Sequence, residues 1–79
     1  MRLPRDLSGL KLIHCLCRRW GYRKVAQVGS HVTLVTDHPS PQRIVIPAHK
    51  ALRVGTLNAV LRRIARHKGV SRSEILESL

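Results

Sequence analysis

The sequence predicts an α+β fold in the order α-β-β-β-α, with two helices on one face of a three-stranded antiparallel sheet and a short helix after them. Three observations predict it. Apolar residues recur at helical spacing over 8–20 and again over 55–68. Between them lie three runs rich in β-branched residues, joined by connections too short for a crossover. Ser71-Arg72-Ser73-Glu74 then forms a capping box ahead of Ile75, Leu76 and Leu79.

Each element has its own signals. Ser8 is a good N-cap for the first helix, and Leu10, Ile13, Leu16, Cys17 and Trp20 predict one buried stripe along it. Arg18 and Arg19 complement the negative helix end, and Gly21 suits the left-handed position just beyond. Tyr22 to Val28 alternates as a strand and stops at the turn dipeptide Gly29-Ser30. His31 to Thr36 is the second strand, with Val32, Thr33 and Val35 at its centre. Two prolines between Asp37 and Pro41 forbid regular pairing there. Arg43 to Ile46, closed by Pro47, is a short third strand, so the three form an antiparallel meander. Gly55-Thr56 opens the second long helix. Its Leu57, Val60, Leu61 and Ile64 share a face, Asn58, Arg62, Arg63 and Arg66 lie elsewhere, and Gly69 ends it.

At 79 residues the chain has room for one domain, spanning 1–79. A chain of this size buries only about 60% of its unfolded surface, so each periodic apolar residue is expected in the core. Fifteen Lys and Arg against four Asp and Glu give a formal charge of +11, spread from Arg2 to Arg72. Such a surface attracts polyanions: nucleic acid, an acidic protein partner, or both. Trp20 and Tyr22 are the only aromatic residues, which argues against a base-stacking platform. RNA would be held by backbone and shape. Double-stranded-RNA-binding domains share this layout and read RNA in that way, although layout alone does not establish function.

Cys15 and Cys17 diverge by about 200° on a helix and cannot pair, so they read as small apolar fillers in a reducing compartment. No two histidines stand at the i, i+4 spacing of a metal pair, and no metal or cofactor is expected. No apolar run approaches the ~20 residues of a membrane span. A cytoplasmic location is expected.

Among the five histidines, His67 can stabilise a helix end, His38 sits in a proline-flanked turn, and His14 lies on the first helix. His31 directly follows Gly29-Ser30, where glycine permits close approach of a ligand backbone. Imidazole has an ordinary pKa of about 6.5 and is a general base suited to a 2′-hydroxyl beside a bound phosphate. The competing reading is a polar residue in a turn. Both readings fit the residues alone.

A resemblance bears on that choice. Gly29-Ser30-His31, Ile44-Val45-Ile46-Pro47 with His49-Lys50, and Leu52 with Gly55-Thr56-Leu57 together resemble the HicA (YcfA-like) family. So do the first helix beginning at Ser8-Gly9 and the Trp20-Gly21-Tyr22 that ends it. Val32 stands where the family often has a second polar or aromatic residue, and Tyr22 where Phe is common. The resemblance implies a fold like that of double-stranded-RNA-binding domains, metal-independent ribonuclease activity on mRNA, and an acidic HicB-like antitoxin as partner. It also implies that His31 is the catalytic histidine. Lys24, Ser30 and Lys50 are the candidates for holding RNA phosphates, the lysines from their nearness in sequence to the turn and the third strand. His49 is the candidate general acid, or a residue that positions a loop. A non-catalytic RNA-binding module and a basic interaction protein for an acidic partner are the alternatives.

Overall fold

The computed structural model describes residues 2–79, and the order of elements is the expected one. It contains α1 (Gly9–Arg19), β1 (Arg23–Val28), β2 (His31–Thr36), β3 (Gln42–Pro47), α2 (Val54–Lys68) and α3 (Arg72–Glu77). The strands form an antiparallel meander in the order β1-β2-β3. Side chains of paired residues project to the same side of a sheet. Val32, Leu34, Ile44 and Ile46 are buried under the helices. Their neighbours His31, Thr33 and Val35 on β2, and Arg43, Val45 and Pro47 on β3, therefore form the face without helices.

Local chemistry explains the ends. The Ser8 hydroxyl accepts from Lys11 N–H at 3.0 Å and starts α1. Gly21, with φ of 74°, turns the chain so that Tyr22 N–H reaches the Leu16 carbonyl at 3.2 Å. Both hydrogen bonds of the Ser71–Glu74 capping box are formed, at 3.0 and 3.1 Å. Ser78, just past α3, accepts from Trp20 Nε1 at 2.9 Å, and this bond ties α3 to α1.

Four expectations need correction. Leu10 is 63% exposed, not part of the buried stripe. It sits about 120° round the helix from Leu16, while Leu12, on the other flank of Leu16, is fully buried. Leu79 is exposed as well. The alternation of 22–28 identifies a strand but not a half-buried one. Tyr22 itself is buried and precedes β1, and all six β1 residues are exposed although α1 touches that strand. The register also shifts between Lys24 and Ala26, a bulge that takes Val25 out of the ladder. Finally, α2 begins at Val54 with Arg53 as N-cap and no side-chain cap.

At the end of the sheet away from the β1–β2 turn, Tyr22 is only 3% exposed and donates its hydroxyl to Gln42 at 2.5 Å. Lys68 Nζ lies 4.7 Å from the centre of its ring and donates to Thr36 Oγ1 at 2.9 Å and the His38 carbonyl at 2.6 Å. Burial pushes the Tyr22 phenol up to about 12, against the opposing pull of the Arg63 charge. Burial lowers the Lys68 ammonium.

Tyr22 is the only tyrosine, so its phenolate absorbance reports this site alone. The native protein is expected to titrate near pH 12, and the denatured protein near the ordinary value of about 10. Between those values the unfolded chain binds fewer protons, so the Tyr22 contribution to stability falls as pH rises. A native midpoint near 10 would show that Tyr22 is not packed this way.

Candidate functional site

The site grows from the join of three segments. Gly29, with φ of 59°, makes the tight β1–β2 turn and has no atom within 4 Å of where a Cβ would stand. His31 is the first residue of β2 rather than a turn residue, paired with Val28 on one side and Pro47 on the other. Its exposed imidazole projects from the face without helices. The chain leaving β3 closes against the same turn, because Ala48 N–H donates to the Ser30 carbonyl at 2.6 Å. His49 Nε2 then lies 3.2 Å from Ser30 Oγ in a hydrogen bond.

Helix α1 fixes that loop from behind. Gly9 N–H donates to the His49 carbonyl at 2.8 Å, and Leu52 N–H donates to the Leu7 carbonyl at 2.8 Å. A Cβ on Gly9 would stand 1.8 Å from the Pro47 carbonyl oxygen. Only glycine permits this approach, and the approach holds His49 at the turn.

The sequence-derived residues divide accordingly. Ser30 and His49 are joined directly, His31 adjoins them, and exposed Lys50 follows His49 on the same loop. Lys24 is elsewhere: it pairs with Leu34, so it projects on the helix side of the sheet, opposite to His31. It reaches the turn only indirectly. Lys24 Nζ donates to Gln27 Oε1 at 2.6 Å, and Gln27 Nε2 donates to the Gly29 carbonyl at 3.1 Å. His38 and His14 are exposed, and His67 donates to the Ser40 carbonyl at 2.7 Å. Among the described residues no group of three His, Cys, Asp or Glu could hold a metal ion. Cys15 and Cys17 are both free, and burial pushes the Cys17 thiol up.

Sequence reasoning missed two features. The first is Gly9, whose contacts lie nearly forty residues away and leave no local signature. The second is a cleft of about 470 Å³ lined by Gln42, Ala59, Arg62, Arg63, Arg66 and His67. Its sequence signal is the recurrence of arginine along one helix flank without an acidic residue between.

The electrostatics are one-sided. Among the described residues a single ion pair forms, Arg23 with Asp37 at 2.8 Å, and both partners are well exposed. Such a pair is worth little. Among the described residues the remaining cations have no acidic side chain as partner, which suits a polyanion.

The family model described as HicA toxin of bacterial toxin-antitoxin matches residues 11–65, well over half of the chain. The matched stretch runs from the first turn of α1 to the fourth turn of α2 and includes His31 and His49. No curated protein and no solved structure matches significantly.

Proposed function

Because the chain belongs to the HicA toxin family of bacterial toxin–antitoxin systems, we propose that it cleaves mRNA with His31 as general base. The observation that carries this reading is the placement of His31. It is exposed on an uncovered sheet face, beside a glycine turn and next to a second histidine anchored through Ser30.

In the proposed reaction His31 takes the proton of a 2′-hydroxyl, and the 2′-oxygen attacks the adjacent phosphorus. The bond to the 5′-oxygen breaks, leaving a 2′,3′-cyclic phosphate and a 5′-hydroxyl end. The leaving oxygen needs a proton, and His49 is the group of suitable chemistry held at the turn. Lys50 follows it on the loop and neutralises phosphate charge. Ser30 orients His49 through its hydroxyl and is also placed to contact a phosphate at the turn. Lys24 supports the turn through Gln27.

Membership of the family implies an antitoxin partner, and the basic surface favours an acidic, HicB-like one. The proposed location is the cytoplasm, where mRNA is found. Among the described residues no helix is long and apolar enough to cross a membrane. The reading is tested by a gel assay of RNA cleavage in EDTA, comparing the wild type with His31→Ala.

An acid and a base acting together give a bell-shaped pH–rate profile. His49→Ala is expected to lose the descending limb and to lower the maximal rate by roughly 10²-fold or more. A full bell in that variant would assign the acid to another group.

A further inference from the structure

We infer that the cleft between α2 and the free edge of β3 is a second phosphate-binding subsite, which holds the RNA strand at a distance from the histidines. This rests on the RNA-cleaving reading above and extends it to a surface away from the histidine turn, at which Arg66 and His67 lie past the residues matched by the family model.

The cleft is built rather than incidental. Arg63 Nη2 donates to the Arg43 carbonyl on the β3 edge at 3.2 Å, and Gln42 Nε2 donates to the Arg63 carbonyl at 3.3 Å. His67 donates to the Ser40 carbonyl and forms the end wall. Ala59, one turn before Arg62 and Arg63, leaves the floor open. Arg62 and Arg66 stand four residues apart on the flank, where like charges repel. No acidic partner relieves them, since the one ion pair among the described residues is Arg23–Asp37. A bound anion would.

The chemistry favours phosphate over an acidic protein. Guanidinium groups present forked donors that match phosphate oxygens. Protein docking sites centre instead on a buried apolar or aromatic anchor. None of the exposed large apolar residues (Leu10, Val25, Val28, Val45, Val54, Leu79) lines this cleft.

Position then sets the RNA length. Gln42 lies five residues along β3 from Pro47, the partner of His31, a distance of ~17 Å at ~3.4 Å per residue. A stacked strand advances ~3.4 Å per nucleotide, so the two sites, which also lie on different sides of the sheet, are separated by at least about five nucleotides. Short RNA reaches only one of them.

The test measures binding of fluorescein-labelled single-stranded RNAs of about four and about twelve nucleotides to His31→Ala protein, with and without Arg62→Gln and Arg66→Gln. In the parent the longer RNA binds more tightly. The double change is expected to remove that advantage. Loss of two contacts lowers the slope of log affinity against log salt by about 1.4, or about 25-fold per decade of salt. Its melting temperature stays the same or rises slightly as the repulsion is relieved. An unchanged slope and length dependence would overturn the subsite. Loss of poly-glutamate binding with RNA binding retained would make the cleft a protein-docking surface and also overturn it. If the subsite effects appear but wild-type protein never cleaves RNA, the nuclease reading fails and the subsite stands.

Discussion

Replacing His31 by alanine is expected to slow RNA cleavage by roughly 10²- to 10⁴-fold, the range lost with a general base, without lowering the melting temperature. The reason is geometric. The imidazole is exposed on the uncovered sheet face, and the pairing of His31 with Val28 and Pro47 uses backbone groups that alanine retains. Core truncations cost about 2–5 kcal/mol, but an exposed side chain leaves no cavity. The wild-type rate is expected to rise with pH on the acidic limb as the base loses its proton, and this limb should vanish in the variant. Cleavage rates from pH 5 to 8 and melting curves for both proteins check this. Normal melting with wild-type cleavage would remove His31 from the mechanism, whereas failure to fold would make it a structural residue.

Gly9→Ala is expected to be among the most damaging single-methyl additions in the chain. The new Cβ would meet the Pro47 carbonyl oxygen at 1.8 Å and the Ala48 Cα at 3.0 Å, both backbone atoms that cannot swing aside. Either α1 withdraws, breaking the bond from Gly9 N–H to the His49 carbonyl, or the loop after β3 shifts. Overpacking of this kind costs about 1–3 kcal/mol. In a domain of this size each kcal/mol moves the melting temperature by about 4–8 °C, so a drop of roughly 4–24 °C is expected. Cleavage should fall as well, because His49 loses its anchor. Gly55→Ala is the control: nothing stands within 4 Å of its added Cβ, and alanine favours a helix. It should be neutral or stabilising. Similar melting of the two variants would show that the close approach at Gly9 is not maintained in solution.

Much of the architecture was legible in the sequence because it is governed by local physics. Ser8, Gly21, Gly69 and the Ser71–Glu74 box end or begin helices through bonds spanning a few residues, and they do so here. Gly29-Ser30 and the prolines after Asp37 delimit strands in the same local way. The meander follows from connections too short for any other path. Periodicity was less decisive about burial. Helical spacing pointed to a stripe on α1 that begins at Leu10, whereas the buried face includes Leu12 and leaves Leu10 exposed. Packing against the sheet decided which flank is covered.

The sequence by itself determined the order of elements, the basic surface and the position of His31 beside a glycine turn. Those properties depend on near neighbours and on composition. Tertiary structure alone decided that His49 would meet Ser30, that Lys24 would project to the other face, and that Gly9 would seat the loop after β3. It also brought Gln42 under Arg63 to form the arginine cleft. These contacts join segments from ten to about forty residues apart. Their geometry depends on strand register and on how closely a helix approaches the sheet, and no local propensity specifies either.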